Sequence, residues 1–229
     1  MENFKEFEKK IGLEFSNPDL LKNVFIHRSF LNENPQSQVE SNERLEFLGD
    51  AILELVITEY LYKNYQNPEG ELTSWRAALV CGKNLAEIAR KFEMGRYLYL
   101  SRGEEKMGGR ERELLLANAF EALIGAIYLE KDYKTAKEFL EKNLLDKLPE
   151  IIEKKIYLDP KTELQEKSQK ELNVTPTYEV LKDEGPDHAK IFTIGVFLNG
   201  KKIGQGQGSS KQTAQSEAAR HALKNWGNK

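Results

Sequence analysis

The chain has 229 residues, 39% hydrophobic and 31% charged, enough for one large or two modest soluble domains, and no uninterrupted apolar stretch approaches a membrane span. Its single cysteine, Cys81, excludes an intramolecular disulfide, and no His or Cys cluster offers a site to a soft metal. The start, Met1-Glu2-Asn3-Phe4-Lys5-Glu6, mixes charges where a secretion signal needs a basic region and an apolar run, so a cytoplasmic location is expected.

The net charge of −3 is unevenly spread: residues 160–229 hold 11 Lys or Arg against 8 Asp or Glu, +3, which leaves −6 for residues 1–159. An acidic half suited to cations precedes a mildly basic half suited to phosphates.

Residues 1 to about 150 read as helical throughout. Asn17-Pro18-Asp19 opens one helix, and Ser41-Asn42 caps the next. In that helix Glu43, Glu46 and Asp50 stand at i, i+3 and i+7, which at about 100° per residue puts them on one side, and Glu54 continues the row. Leu45, Phe47, Leu48, Ala51, Ile52, Leu55 and Val56 fill the rest with apolar groups, so the acids lie at the edge of a buried surface. Crowded carboxylates there repel one another unless a cation relieves them; a solvated acidic face is the simpler alternative. Thr73-Ser74 caps a helical run through Phe92, with Cys81 in its apolar pattern as a buried structural thiol, and Gly103 to Arg112 reads as a loop.

Leu114 to Leu129 is apolar on nearly every side except at Asn118 and Glu121, which share one face, so this helix belongs in a core. Should it cross the acidic helix, Glu46, Asp50, Asn118 and Glu121 form an all-oxygen set suited to Mg²⁺ or Mn²⁺. Another amphipathic helix follows Tyr133 and ends near Leu148-Pro149, and Glu150 to Leu158 is a short charged connection.

From Asp159 the pattern changes. Pro160 opens a helix through Leu172, residues 177–181 and 189–198 alternate as strands do, and Asn199-Gly200 is a hairpin turn into a return strand at 201–206. A last helix runs from about Ser209 to Trp226, giving α-β-β-β-α.

The run Asn42-Glu43-Arg44-Leu45-Glu46-Phe47-Leu48-Gly49-Asp50 resembles the signature of ribonuclease III, the endonuclease of double-stranded RNA, and Phe120-Glu121-Ala122-Leu123-Ile124-Gly125-Ala126 resembles that family's second acidic motif. The C-terminal part is similar to a double-stranded-RNA-binding domain, with Gly185-Pro186-Asp187-His188 between the first two strands and Gly206-Gln207-Gly208-Ser209-Ser210-Lys211 entering the last helix. The likeness spans nearly the whole chain. It implies an all-α endonuclease domain at 1–150, a linker at 151–158 and a small α+β domain at 159–229.

The resemblance further implies a homodimer that forms a valley for duplex RNA, with each subunit cutting one strand to leave 5′-phosphate and 3′-hydroxyl ends and two-nucleotide 3′ overhangs. Structured precursors such as ribosomal RNA are the implied substrates. Asp50 and Glu121 fall on the family's catalytic positions, and Glu46, Asp50, Asn118 and Glu121 on those of its metal ligands, for Mg²⁺ with Mn²⁺ as a substitute. Glu43 falls where the family has a further acid near the dimer interface, and Phe47 where it has an apolar interface residue. A solvated first-turn acid and an ordinary core aromatic compete with those two readings.

Asn118 departs from the family's usual aspartate. An amide oxygen can coordinate a cation but brings no charge, so weaker metal binding follows. The alternative reading is a duplex-RNA-binding protein whose cleavage is weak or absent for that reason, and a buried Asn hydrogen-bonded in the core is a third possibility. In the second domain Thr162, Gln165 and Glu166 would face one minor groove and Pro186 and His188 the next. Ser209, Ser210 and Lys211, at a helix N-terminus, would meet the phosphates between. Gln212 and Gln215 stand where many relatives carry charge, so phosphate affinity is expected to be modest. His27 and His221 read as structural, and Trp75 and Trp226 as packing residues.

Overall fold

The computed structural model describes residues 4–153, 157, 159–186 and 190–226. Contacts divide the chain into two compact units, residues 1–157 and 158–229. No helix among the described residues is long and apolar enough to cross a membrane.

The first unit is helical: α1 (Phe4–Ile11), α2 (Pro18–Val24), α3 (Arg28–Glu33), α4 (Glu43–Asn64), α5 (Glu69–Leu79), α6 (Gly82–Lys91), α7 (Arg102–Lys106), α8 (Glu113–Glu130), α9 (Tyr133–Leu144) and α10 (Leu148–Glu153). Its core is built around α8, where Leu116, Ala119, Phe120, Leu123, Ile124 and Ile127 are almost wholly buried. A helix apolar on all sides needs neighbours on all sides, and α4, α6, α9 and α2 supply them. Asn17 caps α2 as its sequence predicts, its Oδ1 accepting from the N–H groups of Asp19 and Leu20 at 3.1 Å each. Asn42 precedes α4 at the expected place, but its side chain makes no cap. It is buried, and its amide donates to the carbonyl of Val24 at 3.0 Å, pinning the start of α4 to the end of α2.

Three stretches differ from the sequence expectation. The helix read as starting at Thr73-Ser74 begins earlier, at Glu69, and both hydroxyls bond one turn back, Ser74 to the carbonyl of Gly70 at 2.8 Å and Thr73 to the Glu69 carboxylate at 3.4 Å, as helix-interior Ser and Thr do. The run to Phe92 is two helices broken at Val80-Cys81, where the Asn84 amide donates to the carbonyls of Ala78 and Leu79 that α5 leaves unpaired. Cys81 therefore precedes α6 as an exposed thiol, correcting the buried one expected.

The stretch Gly103 to Arg112, expected as a loop, contains most of α7 and a 3-10 turn at Gly109–Glu111. It is fastened by Arg110, whose guanidinium donates to the carbonyls of Gly95, Arg96 and Leu98 at 2.9, 3.1 and 3.0 Å. Pro149 does not end the helical region but sits in the first turn of α10, where a missing N–H costs nothing. Ile151, inside the expected 151–158 connection, is buried in the first unit, and Tyr157 meets Trp75 edge-on at 5.9 Å.

The second unit follows the sequence pattern closely: α11 (Pro160–Leu172), β1 (Thr177–Glu184), β2 (Ile191–Leu198), β3 (Lys201–Gly208) and α12 (Lys211–Lys224). The sheet is antiparallel in the order β1-β2-β3. Asn199 and Gly200 have φ of 48° and 75°, the paired positive values a two-residue hairpin requires. Leu164, Val196, Ala218, Ala219 and Ala222 form the core between the sheet and the helices.

Candidate active site and RNA-binding surface

Helices α4 and α8 cross where both carry glycine. A Cβ on Gly49 would lie 1.8 Å from the Glu121 carbonyl oxygen, and one on Gly125 would lie 2.4 Å from that of Leu45. Glycine inside a helix costs about 1 kcal/mol relative to alanine, and here it allows the two backbones to touch. The contact draws in the side chains around it: Glu46 one turn before Gly49, Asp50 next to it, and Glu121 one turn before Gly125. The acidic row of α4 and the polar face of α8 thus lie on the two sides of one crossing.

The electrostatics record the meeting. The Glu121 carboxyl is pushed up to about 7, first by burial and then by the charges of Asp50 and Glu46. Glu46 is raised as well, first by burial and then by Glu43 and Asp50, while hydrogen bonding from Asn118 works the other way. Asn118, half-buried, thus faces Glu46 across the crossing instead of being absorbed into the core. Asp50 is exposed at the rim.

The two ends of the row are relieved by arginines: Glu54 pairs with Arg76 at 2.7 Å and Glu43 with Arg28 at 3.5 Å. Among the described residues no Lys, Arg or His lies within ion-pair distance of Glu46, Asp50 or Glu121. The residues that narrow the row to its middle, Arg28 and Arg76, were invisible to spacing because they come from other helices. The two glycines were legible in principle, since each interrupts a strong helical pattern.

The donors at the crossing, three carboxylates and an amide, match a hard divalent ion in oxygen chemistry and sign of charge. Among the described residues no three His, Cys, Asp or Glu are gathered closely enough to form a ready-made metal cage. Mg²⁺ does not need one, because it is commonly bound through one or two carboxylates, waters and substrate phosphate.

Phe47 lies on the solvent side of α4 and is 81% exposed, which excludes the core-aromatic reading. Leu55, two turns on, is also exposed. His27 is structural: its Nδ1 accepts from the backbone N–H of Ser29 at 3.3 Å and caps α3, and burial lowers its pKa. His221 accepts from the backbone N–H of Gln205 through Nδ1 at 3.3 Å. Trp75 is buried in the first core, and Trp226 donates to Glu171 at 2.7 Å.

In the second unit Thr162, Gln165 and Glu166 stand exposed along one side of α11. Ser210 caps α12, its hydroxyl accepting from the N–H of Thr213 at 3.1 Å, and Ser209 and Lys211 beside it are exposed. The Lys211 ammonium lies 5.9 Å from the centre of the Phe192 ring. Pro186 is exposed after β1, whereas Asp187 and His188 lie outside the described residues.

Comparisons with known proteins agree with both halves. Residues 17–148 match the family model described as ribonuclease-III-like, and residues 160–225 match the double-stranded RNA binding motif. The chain is 46% identical over 224 residues to Ribonuclease 3 of Carboxydothermus hydrogenoformans, covering 97% of this chain and 95% of that protein. It is 45% identical over 213 residues to Ribonuclease 3 of Streptococcus pneumoniae, covering 93% and 91%. A crystal structure of the nuclease domain of ribonuclease III from Campylobacter jejuni superposes with a TM-score of 0.58 at 39% identity, covering 65% of this chain and 98% of that one. A second structure of that domain, with a TM-score of 0.56 and 41% identity over 62% of this chain and 98% of that one, is described by flexibility in its region of dimer formation.

Proposed function

The chain belongs to the ribonuclease III family and is an endoribonuclease with a double-stranded-RNA-binding domain, and from that premise we propose that the acids at the α4–α8 crossing are its hydrolytic site. The observation that carries the reading is three carboxylates at one helix crossing, Glu46, Asp50 and Glu121, that act on one another electrostatically, two of them raised in pKa and none with a cationic partner among the described residues. Acids held at such a cost to their own ionisation are a mark of function.

In this reading Glu46, Asp50, Asn118 and Glu121 would hold a divalent cation, Mg²⁺ or in its place Mn²⁺, which when bound supplies positive charge to the phosphate and acidifies a water. Asp50, open to solvent at the rim, orients the attacking water and accepts its proton. Glu121, its carboxyl pushed up to about 7, is about half protonated near neutral pH, and its carboxylate form is the one that would hold a cation. Asn118 contributes oxygen without charge and steadies Glu46 by hydrogen bonding. Water attacks phosphorus, the bond to the 3′ oxygen breaks and that oxygen takes up a proton from solvent, so the products carry a 5′-phosphate and a 3′-hydroxyl.

The exposed apolar line on α4, Phe47 and Leu55, is the face we assign to a second copy of the chain, so that two sites cut the two strands two nucleotides apart. Glu43, paired with Arg28, lies beside Phe47 and keeps an interface role rather than a catalytic one. Duplex RNA would be gripped by Thr162, Gln165 and Glu166 in one minor groove, by Pro186 and His188 in the next, and by Ser209, Ser210 and Lys211 at the phosphates. Structured precursors such as ribosomal RNA stems fit this chemistry.

Incubating the protein with a long RNA duplex and Mg²⁺, with and without chelator, tests the reading. Short products that disappear with chelator are expected. A bandshift without products under any divalent ion would leave only the binding half standing.

A further inference from the structure

We propose that Lys161 is a second phosphate-contacting lysine of the RNA-binding unit, held at its post by Gln215; the inference rests on the duplex-RNA reading of that unit. Lys161 is the second residue of α11, yet its ammonium reaches across to α12, where it donates to the Gln215 side-chain oxygen at 2.9 Å. It also lies 5.6 Å from the centre of the Tyr178 ring, whose negative face attracts a cation.

Both partners are neutral. Burial pushes the Tyr178 phenol up to about 12, so it contributes no opposing charge near neutral pH. The neighbouring acid, Asp159, turns its carboxylate to the Lys161 backbone N–H at 3.2 Å and the Thr162 hydroxyl at 3.3 Å. Among the described residues no carboxylate lies within ion-pair distance of the Lys161 ammonium, whereas Lys182 and Lys190 in the same unit pair with Glu184 at 2.6 Å and Asp183 at 3.4 Å. A lysine that only covers apolar surface sends its head into water. This one is held half-buried by two neutral groups, without an ion-pair partner among the described residues.

The position gives the charge a use. Gln215 follows Lys211 by four residues on α12, so the two side chains are neighbours on one face, about 5–6 Å apart at Cβ. Lys161, delivered to Gln215 from the other helix, is thereby brought to the face of α12 that carries Lys211, so that both ammonium groups would meet one anionic strand. The amide at 215 suits the arrangement, because a carboxylate there would quench Lys161 and an ammonium would repel it. The partner chemistry is the phosphodiester backbone of a duplex, read without regard to sequence.

Duplex-RNA affinity measured against salt concentration, on the full chain with chelator present to stop cleavage, tests the idea. Lys161→Gln and Gln215→Glu should each weaken binding roughly three- to tenfold at physiological salt and lower the salt slope by about 1, while Lys161→Arg keeps both. Gln215→Glu neutralises the ammonium without removing it, so unchanged affinity and slope for that variant overturn the proposal even if Lys161→Gln folds poorly. Loss of binding by Lys211→Ala alone would mark Lys161 as a mere tie between helices. A wild-type chain that binds no duplex would instead overturn the RNA-binding reading itself.

Discussion

In the function proposed for them, the α4–α8 crossing in the first unit and the α11–α12 face in the second both handle phosphate, and they would do so by opposite physics. At the crossing, charge is crowded and partly taken out of water: Glu121 is pushed up to about 7 and Glu46 is raised beside it. On the proposed RNA-binding face Thr162, Gln165, Glu166, Ser209 and Lys211 stay exposed. A site that must change bonds uses desolvation to sharpen its electrostatics, at the expense of the fold. A surface that only recognises the shape of a duplex can remain hydrated, and its removal leaves the fold untouched.

The sharpest way to break that contrast is at the chemistry. Asp50→Asn should lower the rate of duplex cleavage by about 10²–10⁴-fold, the range for removal of a group that moves a proton, with duplex affinity in chelator unchanged; a rate within a few-fold of wild type would remove Asp50 from the site.

Next comes the backbone contact beneath it. A methyl group at Gly125 would meet the Leu45 carbonyl at 2.4 Å, so Gly125→Ala should destabilise the first unit by about 1–3 kcal/mol. Urea unfolding followed by circular dichroism would measure it. The second unit should keep its own transition.

A third prediction turns on the sign of the Glu121 shift. Its folded pKa of about 7 lies above the unfolded value of 4.5, so the folded chain holds more protons between those values and stability falls as pH rises through that window. Glu121→Gln should flatten this slope and stabilise the cation-free protein by about 1–2 kcal/mol at pH 8, after allowance for solvent screening, while abolishing cleavage. Unfolding measured at pH 5 and pH 8 decides; a variant no more stable than wild type at pH 8 would show that Glu121 is not strained. Asn118→Asp moves the other way, lowering cation-free stability through repulsion with Glu46 and lowering the Mg²⁺ concentration needed for half-maximal cleavage.

The smallest effect belongs to the hydrated surface. Lys211→Ala should leave the unfolding midpoint unchanged, weaken duplex binding roughly three- to tenfold whatever the sequence, and reduce the salt slope by about 1. A shifted midpoint would erase the distinction between the two regions.

Legibility differed between the regions for a physical reason. In the second unit the signals are local: Pro160 at a helix start, alternation along β2 and Asn199-Gly200 at the hairpin each specify their own neighbourhood, and the elements fall close to where they were expected. In the first unit the break at Val80-Cys81 was hidden because α5 and α6 carry compatible apolar spacing, and what separates them is the Asn84 side chain closing off α5. The exposed Cys81 follows from that break. The stretch to Arg112 read as a loop because its glycines are visible in sequence, whereas the three carbonyls that Arg110 fastens are not.

Sequence alone determined which residues could do chemistry, because helical periodicity sets Glu43, Glu46 and Asp50 in a row and leaves Asn118 and Glu121 as the polar marks on an apolar helix. Periodicity acts within one element. Which acids remain without a cation depended on side chains arriving from other helices, Arg28 onto Glu43 and Arg76 onto Glu54. How strongly the remaining acids feel one another depended on two backbones touching at Gly49 and Gly125. Burial and mutual charge act through space, so only the tertiary structure could turn a row of like charges into a site.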